Sequence, residues 1–173
     1  MGHLNKLEEK LTAFKDLAVK VKKYRDEGKK IVFTNGCFDI LHKGHVLYLA
    51  SAAEQGDVLI LGLNSDASVR RQGKGDERPI NSYEARATVL AGLGYVNLIV
   101  EFDEDTPIRL IEVVVPDVLV KGGDYNPKES DRNNKSYIVG RELVLNNGGE
   151  VATIPLIQGF STTGIIKKLR NDN

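Results

Sequence analysis

The sequence predicts an α/β fold with a mainly parallel five-stranded sheet and helices on both faces. Two observations support this prediction. Short apolar runs typical of buried strands alternate with segments of helical periodicity, and glycine or polar turn signals separate them. Because consecutive parallel strands need right-handed crossovers, the helices between them should pack against the sheet. This is the doubly wound, Rossmann-like arrangement, and 173 residues fit one ordinary domain of this kind.

The amino-terminal segment is predicted to be an extra amphipathic helix over residues 4–25. Apolar side chains recur there at spacings of three and four, the period of one helix face. They are Leu4, Leu7, Leu11, Phe14, Leu17, Val21 and Tyr24. Gly28 follows as a stop signal. We therefore divide the chain into residues 1–27, a helix packed on or beside the domain, and residues 28–173, the domain that carries the function.

The strands are predicted from apolar runs that end at glycine or polar residues. The run DVLILGL at residues 57–63 is the most apolar, as expected for a sheet covered on both faces. The predicted strands cover residues 31–33, 57–63, 96–100, 117–120 and 150–154.

The helices are predicted from their end signals. Asn81 with Glu84 forms a capping box, and Thr106 before Pro107 is a typical helix start. Ser161 opens the last helix with a hydroxyl cap. The predicted helices cover residues 45–54, 81–93, 137–145 and 161–169, and one more begins at Thr106.

Composition excludes several classes of function. Lys+Arg and Asp+Glu both total 24, and this neutral balance argues against a nucleic acid as the main ligand. Cys37 is the only cysteine, so there is no zinc spacing, and we expect no metal site formed by the protein alone. No apolar run approaches a membrane span, and residues 1–10 lack a signal-peptide core. We expect a cytoplasmic protein with no membrane partner.

Two histidines follow the first strand, where ligands bind in such folds. The segment TNGCFDILHKGH covers residues 34–45, and His42 and His45 flank Gly44 at the start of a helix. Gly44 lets an anion approach the free N–H groups of the helix start, and both imidazoles can hydrogen-bond phosphate oxygens. Structural histidines are the alternative, while a metal pair would lack a nearby third ligand.

Two motifs together resemble the nucleotidyltransferase superfamily. Residues 36–45 resemble its HxGH motif with the preceding G-[TC]-F-D turn, and residues 159–166 (GFSTTGII) resemble its ISTT helix start. The resemblance implies that Ser161, Thr162 and Thr163 face a triphosphate. Taken alone, these residues would be an ordinary helix cap.

Within the superfamily, residues 28–169 resemble the D-glycero-β-D-manno-heptose 1-phosphate adenylyltransferases. The matching segments include GKKIV, NSDASV, RPI, DTP, PDVLVKGGDY and GGEV. The resemblance implies transfer of the adenylyl group of ATP to a sugar 1-phosphate, with Mg²⁺ carried by ATP, and is compatible with a homodimer. This branch is often fused to a sugar kinase, so we expect a stand-alone form or an excised domain.

The main alternative is glycerol-3-phosphate cytidylyltransferase. That group usually has threonine at the position of Cys37 and an arginine shortly before the ISTT serine, whereas residues 156–158 are Leu-Ile-Gln here. The cytidylyltransferase alternative is therefore disfavoured. Without that arginine, the identity of the cation that faces the triphosphate near Ser161 stays open. An inactive nucleotide-binding module and a relative of class I aminoacyl-tRNA synthetases are further alternatives, disfavoured by the two intact motifs and the short, neutral chain.

The remaining candidates follow the other strands. Lys121 ends an apolar strand and is predicted to contact phosphate, while Gly122 lets the nucleotide approach the backbone. Asp124 is assigned to a ribose hydroxyl or magnesium, with a turn as the alternative. Cys37 and Phe38 are expected to offer backbone N–H groups.

Substrate contacts are assigned to Asn64 and Asp66 after the second strand, and to Arg71 and Lys74 in the basic stretch that follows. Asp66 also fits a helix cap, and each basic residue alone also fits a solvated charge. Asp39 is favoured to hold its turn rather than to contact magnesium. Arg86 fits a salt bridge with Glu84 or a neighbour at least as well as it fits a substrate contact.

Overall fold

The computed structural model describes residues 2–73, 75 and 77–171. The strands are β1 (Leu11–Thr12), β2 (Ile31–Gly36), β3 (Val58–Asn64), β4 (Leu98–Phe102), β5 (Val118–Gly122) and β6 (Glu150–Ile154). The helices are α1 (His3–Glu8), α2 (Phe14–Asp26), α3 (Lys43–Ala53), α4 (Asp66–Arg71), α5 (Tyr83–Ala91), α6 (Ile108–Val114), α7 (Arg141–Asn146) and α8 (Thr162–Asn171).

The strands form one parallel sheet in the order β1-β4-β3-β2-β5-β6. From β2 the chain moves outward to β3 and β4, then returns to the other side of β2 for β5 and β6. The direction of winding therefore reverses between β2 and β5. In doubly wound sheets, a crevice for ligands opens at the carboxyl ends of the strands at this point.

Helices pack on both faces of the sheet. On one face, the core contains Leu17 of α2, Leu110 of α6 and Val144 of α7. On the other face, it contains Leu49 of α3 and Ala87 of α5. The predicted α/β, doubly wound class is thus confirmed. Among the described residues, no helix is both long and apolar enough to cross a membrane.

The strand count and the amino-terminal helix are corrected by the structure. The sheet has six strands rather than five, because Leu11 and Thr12 pair with Ile99 and Val100 at the edge of β4. The single helix predicted over residues 4–25 is therefore split into α1, β1 and α2. Spacings of three and four persist across the break, and the pairing that interrupts them joins residues far apart in sequence.

One predicted helix cap is also wrong. The cap of α5 is Ser82, whose Oγ accepts the N–H of Ala85 at 3.4 Å. Asn81 is held elsewhere, because its backbone N–H donates to the Asp39 carboxylate at 3.0 Å. Asn81, the residue before Ser82, is therefore held by a long-range contact and does not cap the helix.

Candidate functional site

A cavity of about 420 Å³ opens at the carboxyl ends of β2 and β5. This volume lies in the usual range for small-molecule sites. Most of the predicted site residues line it: Cys37, Phe38, His42, Gly44, His45, Asn64, Lys121, Gly122, Asp124, Ser161, Thr162 and Thr163. Residues from four separate chain segments thus meet where the topology places a ligand.

The two histidines form a stacked pair at the start of α3. His42 is the N-cap residue, and its Nδ1 accepts the backbone N–H of His45 at 3.4 Å. The rings are nearly parallel, with centroids 3.8 Å apart and planes at 16°. Burial lowers the pKa of His42, which favours the neutral imidazole. Since Nδ1 accepts, Nε2 carries the hydrogen of that neutral ring and is the atom able to donate to a ligand.

Gly44 leaves the space that this pair needs. A Cβ at this position would lie 3.0 Å from Cε1 of His42 and 3.3 Å from Cβ of Phe160. A side chain would therefore push against the imidazole on one side and the segment before α8 on the other. The glycine between the histidines keeps the mouth of the cavity open at the helix start.

Lys121 is a buried residue of the cavity lining, one position before the end of β5. Its Nζ donates to Oδ1 of Asn35 and lies 5.3 Å from the ring centre of Tyr125. Burial lowers the pKa of Lys121 to about 8, although the nearby charge of Asp124 opposes this shift. A poorly solvated ammonium group in a cavity is suited to bind an anion, because a ligand phosphate replaces the lost hydration.

The start of α8 is joined to the turn after β2. Thr162 Oγ1 donates to the backbone carbonyl of Asp39 at 2.6 Å, and Thr162 is buried. Ser161 Oγ accepts the N–H of Gly164 at 3.0 Å and therefore caps the helix. Ser161 and Thr163 also line the cavity. Ser161 thus caps the helix and also lines the cavity.

Asp39 holds the turn after β2 through the hydrogen bonds of its carboxylate. Its buried carboxylate accepts the Nε–H of Arg78 at 2.6 Å and the backbone N–H groups of Ile80 and Asn81 at 2.9 and 3.0 Å. These donors occupy both carboxylate oxygens. The geometry therefore favours the positional role of Asp39 over contact with magnesium.

The comparison with known families agrees with this geometry. The family described as Cytidylyltransferase-like matches residues 33–168, which is most of the chain. The chain belongs to the cytidylyltransferase-like family. It is accordingly a nucleotidyltransferase, and the resemblance carried by the HxGH and STT segments is confirmed at this level.

Two curated relatives show how similar this chain is to individual proteins. "Bifunctional protein HldE" of Campylobacter concisus is 57% identical over 143 residues, covering 83% of this chain and 28% of the relative. The protein of the same name from Geotalea uraniireducens is 53% identical over 154 residues, covering 89% of this chain and 30% of the relative. The chain thus spans about a third of the length of the curated relatives it matches.

Solved structures agree in fold. A lipopolysaccharide core biosynthesis protein from Thermoplasma volcanium matches with a TM-score of 0.56 and 25% identity, over 75% of this chain and 98% of the other. Pantoate-beta-alanine ligase from Francisella tularensis has the same TM-score at 14% identity, over 92% of this chain and 76% of the other. The second likeness concerns the fold alone.

Arg86 is hydrogen-bonded to three groups at the ends of neighbouring strands. It is buried and donates to the backbone carbonyls of Cys37 at 2.7 Å and Asn64 at 2.9 Å, and to the Asp66 carboxylate at 2.7 Å. Of the two interpretations of Arg86, the salt bridge is present, with Asp66 as its partner. Arg86 thereby fixes the ends of β2 and β3 beside each other.

Three predicted substrate residues lie away from the cavity or outside the described residues. Asp66 pairs with Arg86, and Arg71 donates from Nε to Asp105 at 2.9 Å; neither lines the cavity. Lys74 lies outside the described residues. Asn64 does line the cavity, where its Nδ2 donates to Ser68 Oγ at 2.9 Å.

Several cavity residues were not selected from the sequence. Asn35 and Tyr125 contact Lys121, and Tyr48 lies one helical turn beyond His45, with its hydroxyl 2.7 Å from Oγ1 of Thr34. Gln72 and Arg78 enter from the loop between α4 and α5. Asn35 could have been found from its position at a strand end, whereas a loop arginine carries no comparable local signal.

The donor set suits an anion better than a bare metal ion. In the described ranges, no group of three or more His, Cys, Asp or Glu side chains is arranged to hold a metal ion. Imidazole, ammonium and hydroxyl groups line the hollow instead. Such donors stabilise phosphate oxygens as charge builds up on them.

Proposed function

We propose that the chain transfers the adenylyl group of ATP to D-glycero-β-D-manno-heptose 1-phosphate, giving ADP-heptose and pyrophosphate for lipopolysaccharide core or related surface-glycan synthesis. The observation that carries the proposal is the meeting of the stacked His42–His45 pair, Lys121 and the α8 start around one hollow. HldE relatives above 50% identity support the heptose branch. The name of the Thermoplasma volcanium neighbour supports the same pathway.

The reaction needs positioning more than proton transfer. An oxygen of the sugar phosphate forms a bond to the α-phosphorus while the bond from that phosphorus to the bridging oxygen breaks. The electron pair leaves with pyrophosphate. Because a phosphate monoester dianion is already nucleophilic, no general base and no covalent enzyme intermediate are needed. The protein then works by alignment and by stabilising charge.

Each wall of the cavity has a role in this mechanism. His42 and His45 donate to oxygens of the α-phosphate, and Lys121 is a further donor to the phosphates. The α8 start offers Ser161, Thr163 and backbone N–H groups to the triphosphate. Magnesium carried by ATP would neutralise part of the triphosphate charge. Asp124 is the cavity carboxylate suited to its bound water or to a ribose hydroxyl, because the oxygens of Asp39 are occupied.

Asn64 lines the cavity, and its Oδ1 lies 3.9 Å from Sγ of Cys37. In this structure Asp66 and Arg71 serve ion pairs instead. We therefore propose Asn64 as the substrate contact among these three.

With ATP as donor, we place the reaction in the cytoplasm. We also propose that the protein is a homodimer, which light scattering in solution would test.

A panel of donors and acceptors tests the function. ATP and CTP are each combined with heptose 1-phosphate, glycerol 3-phosphate and phosphopantetheine, and pyrophosphate release is followed. We expect release with ATP and heptose 1-phosphate, and its loss in a His42→Ala, His45→Ala double variant. Release only with CTP and glycerol 3-phosphate would instead identify the alternative cytidylyltransferase. No release with any pair would favour a nucleotide-binding module.

A further inference from the structure

A buried arginine lines the cavity without a role in the mechanism above. Arg78 lies in the loop between α4 and α5, its side chain is 5% exposed, and it belongs to the cavity lining. The segment before Ser161 supplies no cation, because residues 156–158 are Leu-Ile-Gln. Arg78 is therefore a strongly basic group in the cavity lining, while no cation stands directly before Ser161.

Asp39 holds Arg78 by one edge only. The carboxylate accepts from Nε at 2.6 Å and is otherwise occupied by the backbone N–H groups of Ile80 and Asn81. Within the described residues, Asp39 is the hydrogen-bond acceptor that the structure gives to this guanidinium. A guanidinium has five N–H donors, four of them on the two Nη atoms. The four donors on the two Nη atoms are suited to an oxyanion that enters the cavity.

The same aspartate places Arg78 beside the α8 start. While its side chain binds Arg78, the backbone carbonyl of Asp39 accepts from Thr162 Oγ1 at 2.6 Å. The loop arginine and the hydroxyl-rich helix start are therefore fixed relative to each other through one residue. Arg78, Ser161 and Thr163 all line the same cavity, so one ligand there can contact them together.

We propose that Arg78 is a catalytic residue that donates from its Nη atoms to the β- and γ-phosphates of the bound nucleotide. This inference rests on the proposed function. When the bond between the α-phosphorus and the bridging oxygen breaks, the electron pair stays on the pyrophosphate. Arg78 stabilises that charge without giving up a proton. A planar fork matches two phosphate oxygens better than a lysine does.

Binding measurements separate this role from a purely structural ion pair. We would compare Arg78→Lys and Arg78→Gln with the unchanged protein by calorimetry, using ATP, inorganic pyrophosphate and AMP as ligands. We expect affinity for ATP and pyrophosphate to fall at least about tenfold, because charge-assisted hydrogen bonds are lost. Affinity for AMP should change less than about twofold, since AMP lacks the β- and γ-phosphates. Arg132→Lys is the matched control, an exposed arginine outside the cavity lining.

The outcomes are distinct. If folded Arg78 variants bind ATP and pyrophosphate as the unchanged protein does, or lose AMP affinity equally, the proposal is overturned. If Arg78→Gln does not fold, Arg78→Lys decides, because it keeps a cation beside Asp39. If neither folds, phenylglyoxal labelling of the unchanged protein decides. Pyrophosphate, but not AMP, should protect the peptide that contains Arg78, and equal labelling in all samples would refute the contact.

The same measurements separate a failure of the Arg78 role from a failure of the proposed function. If the unchanged protein makes ADP-heptose but the Arg78 variants bind pyrophosphate normally, only the role of Arg78 fails. If pyrophosphate binding depends on Arg78 but no acceptor yields product, the proposed function fails while the phosphate contact stands.

Discussion

His42 and His45 stack face to face at the start of α3, with ring centroids 3.8 Å apart. The same His42 caps the helix by accepting the N–H of His45. The capping contact fixes the ring of His42, and the stack aligns the second ring with it. The two residues therefore form a single preorganised unit, which is what charge stabilisation in a transition state requires.

Replacing His45 should impair catalysis without unfolding the protein. We expect His45→Ala to lower turnover by roughly a hundredfold to a thousandfold, the usual cost of one oxyanion donor. Turnover and the melting temperature would be measured together. His3→Ala is the control, because His3 is exposed in α1. Near-normal turnover in a folded His45→Ala protein would contradict the assigned role.

The pH dependence should report on Lys121. Its pKa of about 8 means that the free enzyme loses this cation as pH rises through that value. We expect kcat/KM for ATP to decline above about pH 8, since this ratio follows groups of the free enzyme. In Lys121→Met the ratio should be low and should lack this decline. An identical decline in both proteins would assign it to another group.

The same lysine should destabilise the fold. Its pKa is 10.5 when exposed and about 8 in the folded protein, so the unfolded chain binds more protons between these values. Stability from this group is lowest below pH 8 and recovers as pH rises toward 10.5. We expect Lys121→Met to raise the free energy of unfolding by up to about 3 kcal/mol at pH 7, less the loss at Asn35.

Urea unfolding at pH 7 and at about pH 10 would measure this gain, which should shrink at the higher pH. Lys29→Met is a suitable control, because Lys29 is exposed and lies outside the cavity lining. A Lys121→Met protein that is less stable at both pH values would refute the desolvation cost.

Arg86 should matter for stability rather than for substrate binding. Arg86→Met removes donors from two backbone carbonyls and from Asp66, and we expect a loss of about 3–5 kcal/mol. Arg109→Met breaks an exposed ion pair with Glu104 and should cost less than about 1 kcal/mol. Urea titrations compare the two. Weaker ATP binding by a fully stable Arg86→Met protein would point to a substrate contact instead.

Local patterns in the sequence determined much of the fold. The apolar run of β3 and the capping hydroxyl of Ser161 act over a few residues, so both were predictable from the chain. The His42-Gly44-His45 motif and the fold rule together predicted where the ligand hollow lies. Strand ends in a parallel sheet converge whatever the intervening sequence, and this made Lys121 predictable as well.

Tertiary structure alone decided contacts between distant residues. The pairing of β1 with β4 broke a helix that its own periodicity favoured, because backbone hydrogen bonds at a sheet edge outweigh a weak local preference. Likewise, Asp39 forms an ion pair with Arg78, which lies in a loop without a regular sequence pattern. Arg86 forms its ion pair with Asp66 rather than with Glu84. Sequence thus determined most of the elements that form and the sheet edge at which the cavity opens. Long-range packing determined which buried charges meet, since that depends on distances the chain order does not contain.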